Sequence, residues 1–117
     1  MGKRKHLGYL KEFKEQLSQK IPVERMILFG SRATSKPKRW SDFDLIIVSK
    51  KFKNMDTLKR PLGFHDDWTI DYPVDFLCYT PKEFNKLKKQ VTIVREAVRE
   101  GIEIWAFTNP MDTILMH

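Results

Sequence analysis

Ten residues separate Gly30-Ser31 from Asp42-Phe43-Asp44, and each motif adjoins a short apolar run. Residues 23–29 end at Gly30, and Asp44 leads into Leu45-Ile46-Ile47-Val48. No other stretch constrains the fold as much. A short apolar run that stops at a glycine reads as a strand closing in a turn. Successive side chains on a strand point to opposite faces. Asp42 and Asp44 therefore share one face, and Phe43 turns to the other, into the core. Two carboxylates held that close repel each other unless a cation sits between them. The pattern calls for two successive strands with the acids at an open strand end, where a ligand can enter.

The rest of the chain supplies partners for those strands. Leu7, Leu10, Phe13 and Leu17 recur at helical spacing, so an amphipathic helix runs to about Lys20, before Pro22. Residues 31–33 can open a short helix, and residues 34–40, with Pro37, form a loop. Residues 42–49 are the second strand. Phe52, Met55, Leu58 and Leu62 predict a short helix ended by Pro61-Leu62-Gly63. Residues 72–79 are a third strand, with Val74, Phe76 and Cys78 on one face and Asp75, Leu77 and Tyr79 on the other. Thr80-Pro81-Lys82-Glu83 is a helix start with a capping box. Phe84, Leu87, Val91, Val94 and Val98 predict one last helix ending at Gly101. Ile102, Ile104 and Ala106 then alternate with Glu103, Trp105 and Phe107 in a final strand. The expected fold is α/β (α+β): a small mixed sheet packed by helices, with residues 1–108 as one domain and 109–117 as a tail.

With 117 residues the chain holds one core, and 41% hydrophobic with 32% charged residues places it among globular domains. No apolar stretch approaches the ~20 residues that span a bilayer. The basic start is followed by an amphipathic pattern, so no secretory signal is read. Cys78 is the single cysteine and has no internal disulfide partner, which fits a reducing cytoplasm. A net charge of +7 favours an anionic partner: a nucleotide, a nucleic acid or an acidic protein face. For most lysines, solvation of helix surfaces is an equal account, because the charge is spread along the chain.

Gly30 lets the backbone approach a phosphate closely, and a helix starting at Ser31 would aim free N–H groups at the anion. An ordinary capped turn is the alternative. Mg²⁺ takes one or two carboxylates plus substrate phosphates, which Asp42 and Asp44 match. A third acid would complete a two-metal arrangement. Asp66, Asp67 and Asp71 lie in a polar connection. Asp75 lies inside an apolar strand, where an acid is costly unless paired or metal-bound, a salt bridge being the alternative. Arg32 adjoins the Gly-Ser turn and is the candidate cation for the triphosphate, whereas Lys36, Lys38 and Arg39 read as a solvated loop. His65-Asp66-Asp67 reads as a solvated turn, Cys78 as an inert core thiol, and Trp40 and Trp68 as covers of the core edge that could otherwise stack on a base.

Taken together, the Gly-Ser turn, the ten-residue spacing, Asp42-Phe43-Asp44, the acid in a later strand and the closing Val98-Arg99-Glu100-Gly101-Ile102 resemble the minimal nucleotidyltransferases of the DNA polymerase beta-like superfamily. The resemblance implies that Gly30 and Ser31 bind triphosphate oxygens, with Arg32, by its place beside that turn, as the further nucleotide-binding candidate. It implies that Asp42 and Asp44 ligate Mg²⁺, with Asp75 as the third catalytic carboxylate. The implied reaction moves AMP from ATP onto a hydroxyl and releases pyrophosphate. Relatives of this size resemble antitoxins paired with helical HEPN ribonuclease toxins, so a HEPN-type partner or self-association is expected. A binding module that inhibits such a partner by occlusion is the alternative. Nucleic-acid binding is less favoured, because no zinc-finger, zipper or RNA-recognition pattern is present.

Overall fold

The computed structural model describes residues 3–33 and 42–105. Helix α1 (Lys3–Ser18) leads to strand β1 (Arg25–Phe29). A single 3₁₀ turn (Gly30–Ala33) follows, and β2 (Phe43–Val48) comes next. Strand β3 (Val74–Tyr79), helices α2 (Pro81–Leu87) and α3 (Ile93–Glu100), and the short β4 (Ile102–Glu103) complete the order. The sheet order is β3-β2-β1-β4. β2 pairs parallel with β3, while β1 pairs antiparallel with β2 and β4, so the sheet is mixed as expected.

Alternation along the strands produces two cores. Met26, Leu28, Phe43, Leu45, Ile47 and Cys78 pack with Leu10, Phe13 and Leu17 of α1. Ile27, Phe29, Ile46 and Val48 pack with Phe84 of α2 and with Val94 and Ala97 of α3. A strand covered on both faces has no polar side to show, and the unbroken run Leu45-Ile46-Ile47-Val48 reflects that. The expected facing of β3 holds: Val74, Phe76 and Cys78 join the α1 side, Leu77 and Tyr79 the other.

Two expected helices differ. The short helix over Phe52, Met55, Leu58 and Leu62 is replaced by three 3₁₀ turns, Lys50–Phe52, Thr57–Lys59 and Phe64–Asp67. Asn54 takes a left-handed conformation, φ 64°, and the Asp56 carboxylate accepts from the Leu58 N–H, so a continuous helix cannot propagate. Phe52 is buried, but Leu58 and Leu62 are 85% and 73% exposed. The single last helix is two. Thr92 caps α3, its hydroxyl accepting from the Arg95 N–H and donating to the Leu87 carbonyl at 2.8 Å. That cap starts a new helix at a β-branched run and leaves Val91 93% exposed. The capping box at Thr80 and Glu83 forms as expected, with the Thr80 N–H donating to Glu83 Oε1 at 2.8 Å.

The last strand is shorter than residues 102–107. Ile102 and Glu103 pair with β1, and the Ile104 N–H donates to the Met26 carbonyl at 2.8 Å. Ala106 and Phe107, the tail, and the loop with Lys36, Lys38, Arg39 and Trp40 lie outside the described residues. Among the described residues, no helix is long and apolar enough to cross a membrane.

Candidate active site

Strand β1 ends at Gly30, whose φ of +72° is open to glycine and costly for other residues. The same glycine leaves room for a neighbour. A Cβ here would stand 2.6 Å from Asp44 Oδ2. Pairing explains the approach, since Phe29 lies opposite Asp44 across β1 and β2. On its other side Asp44 lies in register with Asp75 of β3. Thus β2 carries the half-buried Asp44 between the glycine turn and a second carboxylate. Exposed Asp42 comes just before the strand. Burial raises the Asp44 carboxyl above the ordinary aspartate range, and the charges of Asp75 and then Asp42 push it further.

Asp75 is exposed, so the expectation of an acid forced into the core is corrected. β3 is an edge strand, and the acid meets solvent there. What distinguishes Asp75 is its register with Asp44.

A cavity of about 630 Å³ opens over this face. Phe29, Gly30, Ala33, Asp44 and Asp75 line one part of it, and Ile93, Glu96, Ala97, Glu100 and Gly101 another. The α3 contribution escaped the sequence reading. Glu96 and Glu100 stand four apart and were available as a signal, but such a pair looks the same as any solvated helix face. Gly101 is there for closeness. A Cβ on it would meet the Ala97 carbonyl oxygen and stand 2.7 Å from Leu28 O and Ile27 Cγ2, while its φ of −78° is ordinary.

Ser31 and Arg32 lie in the turn but do not line the cavity. The Arg32 guanidinium is buried over Tyr72 and Phe43, 4.4 and 4.9 Å from the ring centroids. Phe43 belongs to the α1-side core, so Arg32 is anchored on the side of the sheet away from Asp44.

The other candidates are structural. Asp67 pairs with Lys20 at 2.8 Å, and His65 packs edge-on against Phe76. Trp68 Nε1 donates to the Tyr72 carbonyl at 2.9 Å, and its ring packs on Phe13 and Phe43. Cys78 is buried, and burial raises its thiol to about 12, as an inert core thiol requires. Among the described residues, no group of three or more His, Cys, Asp or Glu side chains closes tightly enough to hold a metal ion unaided.

Comparison with known proteins agrees with this architecture. The family model described as a nucleotidyltransferase domain matches residues 10–104. The probable protein adenylyltransferase MntA of Haemophilus influenzae is 31% identical over 91 residues, covering 74% of this chain and 78% of that protein. The crystal structure of a candidate nucleotidyltransferase from Sulfolobus solfataricus superposes with a TM-score of 0.63 at 24% identity, covering 90% of this chain and 84% of that one. One chain of the crystal structure of a mutant toxin–antitoxin MntA–HpeT superposes with a TM-score of 0.54 at 18% identity, covering 90% of this chain and 78% of that one. The two superpositions establish the shared fold. The family match spans α1 to β4, including the Gly-Ser turn and the aspartates of β2 and β3, and the chain belongs to the nucleotidyltransferase domain family.

Proposed function

We propose that the chain transfers AMP from ATP to a hydroxyl of a protein acceptor in a Mg²⁺-dependent reaction that releases pyrophosphate. The observation that carries this reading is the register of Asp44 with Asp75 beside the positive-φ Gly30, on one wall of one cavity.

The donor set fits the metal. Mg²⁺ takes oxygen ligands, commonly one or two carboxylates, and fills its shell with phosphate oxygens and water. Asp42, Asp44 and Asp75 would supply the carboxylate oxygens; burial first, and then the charges of Asp75 and Asp42, raise the Asp44 carboxyl, and a divalent cation would offset that cost. When bound, the metal neutralises charge on the triphosphate and on departing pyrophosphate. The residues position the rest. In this reading the phosphates take hydrogen bonds from the backbone N–H groups of the Gly30–Ser31 turn and from the Ser31 hydroxyl. Arg32 contributes by clamping that turn to Phe43 and Tyr72.

We further read the chain as the antitoxin half of a two-component module with a HEPN-type partner, acting in the cytoplasm. Residues 1–108 would form its transferase domain and 109–117 a tail. The relative MntA is named as a protein adenylyltransferase, and the MntA–HpeT pair is named as a toxin–antitoxin with two aspartates, two positions apart, changed to glutamate. That is the spacing of Asp42 and Asp44.

The test is incubation with α-³²P-labelled ATP and Mg²⁺, with and without the protein encoded beside it, next to a D42N/D44N control. Label on a protein, lost in the control, is the expected result. Absence of label, with partner binding that survives the double substitution, would replace this reading with inhibition by occlusion.

A further inference from the structure

We propose that the outer rim of α3 docks the acceptor, and that it fits an acidic peptide segment with an apolar side chain next to its reactive hydroxyl. The proposal rests on the transferase reading above.

The cavity is asymmetric. Gly30, Ala33, Asp44 and Asp75 form one wall, while Ile93, Glu96, Ala97 and Glu100 of α3 form the other. No described residue lining it is a lysine or arginine. A triphosphate with its metal belongs against the Gly30 wall. Laid against Glu96 and Glu100 it would meet only like charge. The α3 wall suits a neutral nucleophile, and a carboxylate there can accept the hydrogen bond of a hydroxyl.

A second, shallower groove of about 260 Å³ runs along the outside of α3, lined by Val91, Thr92, Arg95, Glu96, Arg99 and Glu100. The two spaces share Glu96 and Glu100, so the groove leads over an acidic ridge into the cavity. Beyond the ridge, Arg95 and Arg99 are exposed and four residues apart, forming a basic stripe. At the N-terminal end of α3, Val91 is 93% and Ile93 52% exposed. A segment that sends a hydroxyl across the ridge therefore places its outer carboxylates on Arg95 and Arg99 and an apolar side chain on Val91 and Ile93. A nucleic-acid strand fits less well, because its phosphates would have to cross Glu96 and Glu100.

The probes are two tyrosine peptides of equal length, one flanked by leucine and glutamates, the other by leucine and lysines. Binding is read by fluorescence anisotropy without nucleotide, in the full chain and in the R95E/R99E and R95Q/R99Q variants, with circular dichroism confirming folding. The full chain is expected to bind the glutamate peptide about tenfold more tightly. The glutamine variant should abolish the preference and the glutamate variant reverse it. Equal affinity for both peptides, or a preference that survives R95E/R99E, overturns the proposal. So does an oligoribonucleotide that outcompetes the glutamate peptide and depends on the same arginines. Because binding is read without chemistry, failure of the transferase reading shows separately, as absent label transfer.

Discussion

Gly30 and Asp44 are coupled: the glycine has no side chain because the aspartate's oxygen occupies that place. Gly30→Ala has two faults, a left-handed backbone and a clash 2.6 Å from Asp44 Oδ2. We expect a loss of about 1–2 kcal/mol in urea unfolding, together with loss of Mg²⁺-ATP binding as the carboxylate is displaced. Asp44 also sets a pH dependence. Its folded-state pKa lies above the unfolded value, so the native state holds the proton more tightly. Stability from this group is therefore present at low pH and falls as pH rises from the unfolded value through the folded one. Asp44→Asn should stabilise the metal-free chain at pH 7, with the gain vanishing below about pH 4, near the unfolded aspartate value. A pH series of melting temperatures in EDTA checks the sign. A substitution that raises stability while abolishing transfer marks a residue kept for chemistry.

Among elements, α3 is held at both ends by contacts that its sequence only half announces. Thr92 bonds the Arg95 N–H and the Leu87 carbonyl, and Thr92→Ala should cost about 1 kcal/mol. Amide exchange should quicken in the first turn of α3. At the other end, a methyl on Gly101 meets backbone oxygens of Ala97 and Leu28 that cannot rotate away. Gly101→Ala should lose about 3 kcal/mol in denaturant unfolding and deform the α3 wall of the cavity. The α2 end is tied elsewhere. Glu83 closes its capping box and also pairs with buried Arg60, at 2.6 Å from Nη1, which holds the Glu83 carboxyl below its ordinary range. Arg60 Nη1 also donates to the Cys78 carbonyl, and Nε to that of Met55, so one guanidinium stitches the irregular residues 50–67 to β3. The α2 cap was legible from Thr80-Pro81-Lys82-Glu83. The α3 cap was not, because Leu87, Val91 and Val94 keep helical spacing across Gln90 and Thr92 whether or not the chain breaks there.

For the molecule as a whole, the sheet sits between α1 on one face and α2 with α3 on the other, and the cavity forms between α3, which packs against β1, and the Asp44 and Asp75 ends of β2 and β3. A ligand that binds only this folded arrangement must stabilise it. At a hundred times its dissociation constant, Mg²⁺-ATP should add about 2.7 kcal/mol, a rise of roughly 10 °C or more in melting temperature for a domain of this size. EDTA should remove the shift, and D42N/D44N should not show it. The sequence by itself determined the four strands, though not how short β4 is, and the turn at Gly30, because each follows from spacing over a few residues and from an alternation that backbone geometry imposes. It also singled out Asp75, though on the argument that an acid in an apolar strand is buried, whereas an edge strand leaves it exposed. Only the tertiary structure decided that Asp75 stands in register with Asp44, that Arg32 lies over Phe43 away from the acids, and that Glu96 and Glu100 face the cavity. These depend on which strands pair and where a helix packs across the sheet. Such contacts join residues from eleven to about seventy positions apart, and no local periodicity encodes them.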